Sequence, residues 1–376
     1  MVLAVTGGGS RAIGQLLEEP GGSQSVLEAV VPYSQSALQA WLGGPPEGAC
    51  SAATARAMAM AAWSRARVLA PQIDPHRLVG LGATASLVSS RPKRGPHRIH
   101  VAVQTATQTE CCSLQLVKQE RQRKKEDYLA TKLILLRLAQ GCGLDVDAAR
   151  AALDEQLLPE ESIDSQQQQA DAVWTELLLG ERESVAILPG ASGKQGDLAL
   201  ADCPRVLLSG SFNPPHVGHR QMSLLARARL QQPVAWELSI TNVDKPPLDF
   251  LTLGQRIDQI RAVEPHRVIL LTTAPTFREK ARMYPDSTFV VGADTILRIG
   301  DPRYYANDPA RRDADLEQIA TAGCRFLVFG RQFDGQFQTL SDLPLPAALV
   351  KLCEEVSAED FREDVSSTEL RPSDSQ

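Results

Sequence analysis

The sequence predicts two α/β domains in tandem, the second built on a parallel sheet. Three features predict this. From residue 205 onward, short apolar runs alternate with helix-forming stretches, which implies parallel strands with helices on both faces. Each half opens with an apolar strand running into a Gly-rich turn: Val2-Leu3-Ala4-Val5 before Thr6-Gly7-Gly8-Gly9-Ser10, and Val206-Leu207-Leu208 before Ser209-Gly210-Ser211. Between the halves, Glu160-Glu161-Ser162, Asp164-Ser165 and Gln166 to Gln169 form a polar tract with little apolar surface to bury. The expected boundaries are a first domain over 1–160, a polar linker and connector over 161–203, and a second domain over 204–376.

In the first domain the opening strand leads to a helix with Ile13, Leu16 and Leu17 on one face, stopped by Pro20-Gly21-Gly22. Ser51 to Leu69 is Ala-rich, holds no Pro or Gly, and reads as a long buried helix. Strands follow at Leu78–Leu81 and Ile99–Thr105, with a basic Pro/Gly loop, Arg91–Pro96, between them. A last helix runs from Gln119 to Gln140 and ends before Gly141-Cys142-Gly143. The connector, Ala170 to Asp202, carries one helix and one short strand. In the second domain, strands are expected at Arg205–Ser209, Ala235–Ile240, Val268–Thr272, Thr288–Val291 and Phe326–Phe329. Helices are expected at Arg220–Arg229, Leu253–Val263, Phe277–Met283 and Ala314–Ala322. Ligands of such sheets bind beyond the carboxyl ends of the strands, where the strand order reverses.

Composition narrows the function. The 376 residues are 43% hydrophobic and 22% charged, as in an ordinary soluble chain. A net charge of −6 speaks against a general nucleic-acid binder. The one basic run, Arg121-Gln122-Arg123-Lys124-Lys125, reads as a solvated helix face before a binding patch. The seven cysteines show no CxxC pair and no metal-ligand spacing. Cys111 and Cys112 adjoin in a strand and so point to opposite faces, which suits reduced thiols in a cytoplasmic protein. There is no basic-then-apolar leader and no apolar stretch of about 18 residues. The expected partners therefore include neither nucleic acid nor membrane, and a homo-oligomer stays open.

The chemistry concentrates in Val206-Leu207-Leu208-Ser209-Gly210-Ser211-Phe212-Asn213-Pro214-Pro215-His216-Val217-Gly218-His219. A strand ends in a Gly turn, two prolines stiffen the loop, and two of the chain's six histidines stand where a helix begins. Met222, Leu225 and Ala226 give that helix an apolar face. A helix N-terminus presents unpaired N–H groups and partial positive charge, Gly218 allows a bulky anion near the backbone, and imidazoles donate to phosphoryl oxygens. A loop–helix junction with two incidental surface histidines is the alternative.

Gly210–His219 resembles the HxGH signature of the nucleotidylyltransferase superfamily in its GSFNPxHxGH form. Val291-Gly292-Ala293-Asp294, Phe329-Gly330-Arg331 and Val365-Ser366-Ser367-Thr368-Glu369-Leu370-Arg371 are similar, in order, to later motifs of nicotinamide-nucleotide adenylyltransferases. The resemblance implies a Rossmann-like domain that joins the adenylyl group of ATP to nicotinamide or nicotinate mononucleotide, giving NAD or its deamido form and pyrophosphate. No covalent enzyme intermediate is implied; the work is positioning and charge stabilisation. His216, His219 and Arg371 would be catalytic, and Gly210, Ser211, Phe212, Asn213 and Gly218 would line the ATP loop. Ser366, Ser367 and Thr368 would complete a second anion cradle with Arg371. Asp294, after Gly292, would accept from the adenosine ribose hydroxyls or serve as a helix N-cap. Lys245 would meet the mononucleotide phosphate, with Arg256 a weaker candidate. Trp236 and Phe277 are guesses for the ring stacked on the pyridine, each more at home in the core. Mg²⁺ would arrive with ATP and need no full protein cage. A transferase acting on another phosphorylated acceptor, or a non-catalytic pyridine-nucleotide sensor, are the rival readings.

The first half resembles the C-terminal domain of the CinA family, which includes nicotinamide mononucleotide amidases, through Thr6-Gly7-Gly8, Glu19-Pro20-Gly21-Gly22-Ser23 and Val31-Pro32-Tyr33-Ser34. Those enzymes carry Glu-Ser-Cys-Thr-Gly-Gly with Ser as nucleophile, and Tyr-Ser-Asn-x-x-Lys. Here Ala4 and Leu38 occupy the Ser and Lys positions. A methyl group cannot attack a carbonyl and Leu cannot act as a base, so this domain is expected to lack amidase activity.

Overall fold

The computed structural model describes residues 1–90, 94–190, 195–196, 198, 202–333 and 335–362. They fall into two compact units. One comprises Met1–Leu179 with Asp244–Gly254, and the other comprises Gly180–Val243 with the described residues from Gln255 to Arg362. Among the described residues no helix is long and apolar enough to cross a membrane.

The first unit runs β1 (Val2–Thr6), α1 (Arg11–Glu18), β2 (Glu28–Val30), α2 (Gln35–Leu42), α3 (Ala52–Leu69), β3 (Gly80–Ser86), β4 (His97–Gln104), β5 (Gln108–Leu116), α4 (Arg123–Gly141), α5 (Asp147–Asp154), β6 (Ile163–Gln169) and α6 (Ala172–Leu179). Its sheet has the order β2-β1-β3-β4-β5-β6, parallel from β2 to β3 and antiparallel beyond. Strand alternation sorts β1 between two faces. Leu3 and Val5 join Leu129, Leu133 and Ile134 of α4, while Ala4 joins Leu38 and Leu42 of α2 and Met58 of α3. The Ala-rich run forms α3 because small residues let helix and sheet backbones touch. A Cβ at Gly82 would stand 2.2 Å from the Ala55 carbonyl oxygen, and one at Gly80 2.2 Å from the Trp63 nitrogen. Cys111 and Cys112 do face opposite sides, and burial pushes their thiols up to about 12 and about 11. In the basic run, Arg121 pairs with buried Glu161, and Arg123 donates to the carbonyls of Gly7 and Val88.

The expected linker is corrected by the structure. Ile163–Gln169 is the edge strand β6, antiparallel to β5 from Leu114↔Ile163 to Gln108↔Gln169. Most of its side chains face solvent. An edge strand needs only a partner for its backbone groups, so a polar tract with no core to offer is ordered by the ladder and by Arg137, which donates to Ser165 Oγ at 2.7 Å. Trp174 and Leu177 of α6 are buried.

The second unit adds β7 (Ser184–Ile187), β8 (Gln195–Gly196), β9 (Val206–Ser209), α7 (Val217–Leu230), β10 (Val234–Ser239), α8 (Phe250–Val263, of which Phe250–Gly254 belong to the first unit), β11 (Ile269–Thr272), α9 (Phe277–Met283), β12 (Thr288–Gly292), α10 (Ala293–Gly300), α11 (Pro309–Thr321), β13 (Arg325–Phe329), β14 (Arg331–Phe333), β15 (Gln336–Gln338), α12 (Ala347–Val350) and β16 (Cys353–Val356). The main sheet has the order β16-β13-β12-β9-β10-β11-β7-β8. It is parallel from β16 to β11, and β7 pairs antiparallel to β11. The α/β class with a parallel sheet is therefore borne out. Chain order steps outward from β9 to β10 and β11 on one side and to β12, β13 and β16 on the other. The reversal lies between β9 and β12, the crevice where ligands of such sheets bind. Leu207, Phe289, Val291, Phe326 and Val328 cluster with Ala281 of α9 and Tyr284 just after it, Ile296 of α10, and Leu316 and Ile319 of α11. This packing fixes the strand ends that bear the site.

Candidate active site

Beyond β9, the Gly210 N–H bonds the Glu237 carbonyl of β10 at 3.1 Å. Beneath it the buried Glu237 carboxylate is closed off by Lys280 Nζ at 2.7 Å and Thr272 Oγ1 at 2.6 Å. Gly210 itself is explained by packing. Phe212, at φ +45°, folds its ring back, and a Cβ at 210 would stand 2.9 Å from that ring. The buried Phe212 ring rests on Trp236 at 4.7 Å and meets the edge of His219 at 5.2 Å. Ser211 is exposed and its carbonyl accepts from Arg256 at 3.0 Å, so Arg256 braces the loop; Asn213 is partly buried in it.

The two histidines cap α7 for each other. His216 is the N-cap, and its Nδ1 accepts the Gly218 N–H at 3.2 Å; His219 Nδ1 accepts the His216 N–H at 3.2 Å. A backbone N–H can only donate, so both Nδ1 atoms offer lone pairs. Each neutral ring then carries its proton on Nε2. Burial, the neighbouring His216 and Arg331 push His219 down to about 3. Burial and Arg331 also lower His216, against the raising effect of Asp294. The rings stand 3.9 Å apart. The helix start thus presents two neutral N–H donors of fixed tautomer. The expectation that Gly218 leaves its backbone open to an anion is revised, because its N–H is engaged by His216.

At the end of the neighbouring strand β12, Gly292 is the N-cap of α10 and Asp294 lies in its first turn. A Cβ at 292 would stand 2.8 Å from Asp294 Oδ1, so glycine makes room for the carboxylate. Asp294 is not the cap; its Oδ1 holds Arg331 Nη1 at 2.8 Å. Arg331 follows β13 and is the residue that sequence reasoning left without a role, although Phe329-Gly330-Arg331 had been singled out. The available signal was a cation placed directly after a buried strand and a glycine. Strands β9, β12 and β13 are adjacent, and their carboxyl ends bring His216, His219, Asp294 and Arg331 together.

Other candidates fall elsewhere. Lys245 belongs to the first unit, where its Cε lies 3.3 Å from the Cβ position of Gly44. Trp236 is fully buried, and Phe277 packs edge-on against Phe289 and Phe326, so both are core. Ser366, Ser367, Thr368 and Arg371 lie outside the described residues.

A family model described as cytidylyltransferase-like matches residues 207–372, the span that carries β9 and the sheet around it. The second half is thus nucleotidyltransferase-like, and the likeness supports an enzyme of that kind. Among curated proteins, the chain is 26% identical over 174 residues to a probable nicotinate-nucleotide adenylyltransferase of Exiguobacterium sibiricum, covering 43% of this chain and 85% of that one. It is 28% identical over 151 residues to a protein of Schizosaccharomyces pombe, provisionally named a nicotinamide mononucleotide adenylyltransferase, covering 37% and 57%. It is 32% identical over 105 residues to a probable nicotinate-nucleotide adenylyltransferase of Ruegeria sp., covering 24% and 54%. The chain thus spans little more than half the length of the last two.

Proposed function

We propose that the chain transfers the adenylyl group of ATP to nicotinamide or nicotinate mononucleotide, forming the dinucleotide and releasing pyrophosphate. The observation that carries this reading is the pair of neutral, Nε2-protonated imidazoles at the α7 start, set in the crevice beside Asp294 and Arg331. The names of the three relatives supply the acceptor class.

In this reading a phosphate oxygen of the mononucleotide bonds to the α-phosphorus of ATP. The bond from that phosphorus to the bridging oxygen breaks, and pyrophosphate leaves with the electron pair. His216 and His219 donate from Nε2 to phosphoryl oxygens as charge builds on them. Being neutral, they need no deprotonation, and their rings are locked by their own backbone. Asp294 accepts from the ribose hydroxyls, which would take the place of its Arg331 partner and free that guanidinium for phosphate. Ser366, Ser367, Thr368 and Arg371 would complete a second anion cradle. Mg²⁺ carried by ATP would neutralise phosphate charge. Among the described residues no group of three His, Cys, Asp or Glu is placed to hold an ion.

For the first unit we propose an amidase-like fold without amidase chemistry. Ala4 and Leu38, which stand at the nucleophile and base positions of the resemblance, share one buried apolar cluster. The test is a coupled assay of the full chain with ATP, Mg²⁺ and either mononucleotide, following dinucleotide, pyrophosphate and ammonia. Dinucleotide without ammonia is expected. No dinucleotide from either acceptor overturns the transferase reading, and ammonia release overturns the reading of Ala4 and Leu38.

A further inference from the structure

Arg331 opens the two-stranded hairpin β14–β15, which follows directly on β13. Its ion pair with Asp294 is part open to solvent, the two side chains being 31% and 45% exposed. A pair so exposed is worth little by itself and does not fix the backbone from which Arg331 springs. The hairpin register runs Arg331↔Gln338, Gln332↔Phe337 and Phe333↔Gln336, so Arg331 and Phe333 share one face while Gln332 and Phe337 share the other. Both faces are gripped. Phe333 packs against the core of the second unit. Phe337 lays its ring on Gly330, where a Cβ would stand 2.6 Å from Phe337 Cε1 and 2.8 Å from the Gln338 carbonyl oxygen. Gly330 does not have a left-handed φ, so this close approach is what demands a glycine. The Arg362 guanidinium stands 5.6 Å from the centre of the Phe337 ring. Beyond β15 the Thr339 N–H donates to Asp342 Oδ2 at 2.8 Å, and the Ser341 N–H donates to Glu355 Oε2 of β16 at 2.7 Å. Both legs of the hairpin are thereby tied to the sheet whose strand β12 leads to Asp294.

We infer that the β14–β15 hairpin is a positioning element of the crevice, with Gly330 and Phe337 as positioning residues that hold Arg331 against Asp294. The inference rests on the adenylyl-transfer reading for its kinetic consequence only. In that reading the Arg331 guanidinium passes from Asp294 to phosphate. A fixed base lets the head swing between the two anions without the ordering cost that a loose loop would carry.

Full-chain variants test this. Gly330→Ala pushes the Phe337 ring and the Gln338 carbonyl away, and Phe337→Ala removes the ring. They damage one contact from opposite sides, so a fold lost in one leaves the other to decide. Gln332→Ala, next to Arg331 but exposed, is the control. The His216 ring midpoint, followed by NMR, reports where Arg331 stands, because burial and then Arg331 lower it while Asp294 raises it. That midpoint should rise in Gly330→Ala and Phe337→Ala, as in Arg331→Gln, and hold in Gln332→Ala. In the same two variants kcat/KM for ATP should fall about fivefold. On an Arg331→Gln background, Phe337→Ala should change neither readout, since it acts through the residue already removed. An unmoved midpoint in both variants overturns the positioning role. An equal rise in Gln332→Ala overturns the assignment to Gly330 and Phe337. A further fall on the Arg331→Gln background overturns the route through Arg331. A wild-type chain that transfers nothing overturns the adenylyl-transfer reading instead, and the titration alone then decides the positioning.

Discussion

In the first unit, the turn after β1 uses its glycines for packing. A Cβ at Gly7 would stand 1.9 Å from the Ala85 carbonyl oxygen, and one at Gly9 2.5 Å from Ile134 Cδ1. The Gly9 N–H, the donor an anion would seek, bonds Asp127 Oδ1 at 2.9 Å. The protein's own carboxylate fills the anion position. In the second unit, the turn after β9 gives its N–H groups to imidazole Nδ1 atoms and so leaves the proton of each neutral ring on Nε2. Both regions read as apolar strand, Gly-rich turn and helix. A Gly-rich turn binds an external anion only where its donors are not claimed by an internal one.

Four experiments sharpen or break this contrast. The largest effect is expected for His219→Ala, which removes a donor that acts on transition-state charge. The turnover should fall about 10²–10³-fold with mononucleotide binding retained. Wild-type activity in that variant would show that the α7 start does not do the chemistry. Next, Arg331→Gln leaves Asp294 without its cation and should lower kcat/KM for ATP about tenfold, since a charge-assisted bond is lost. In the same variant the His216 titration midpoint, followed by NMR, should rise, because Arg331 is one cause of its lowering. An unmoved midpoint would separate Arg331 from the histidines.

The third experiment concerns pH. His219 titrates at about 3 in the folded protein against an ordinary 6.5, so the unfolded chain binds its proton first as pH falls. The stability gained from the neutral ring is complete above pH 6.5 and is lost as pH falls toward about 3. The urea midpoint of the second unit should therefore decrease between about pH 7.5 and pH 5, and His219→Gln should flatten that slope. A ring signal titrating at 6.5 would refute the neutral capping pair. The smallest effect belongs to the first unit. Asp127→Ala strips the acceptor from the Gly9 N–H and should cost about 1–2 kcal/mol in a thermal melt, with adenylyl transfer unchanged. Lost transfer there would mean that the closed turn is more than packing.

Most second-half strands were legible because their apolar runs are buried on both faces and leave little choice of register; Val206–Ser209 and Phe326–Phe329 are examples. The edge strand β6 was not, since its order comes from β5 rather than from its own side chains. His216, His219, Gly292 and Asp294 were legible as local motifs. Arg331 was not, because its meaning lies in Asp294, which is distant in sequence and brought near by two adjacent strands. Trp236, a guess for the ring on the pyridine but read as more at home in the core, does lie in the core, where strand alternation buries it.

By itself the sequence determined the parallel α/β class and the position of the Gly-rich turn that leads into α7, because each depends on residues adjacent along the chain. Only the tertiary structure decided the protonation state of the histidines, the Asp294–Arg331 pair, the self-filled turn at Gly9 and the allegiance of Asp244–Gly254. Each of these is set by burial and by partners far away in sequence, and a pKa or an ion pair exists only once the fold has removed water and brought the charges together.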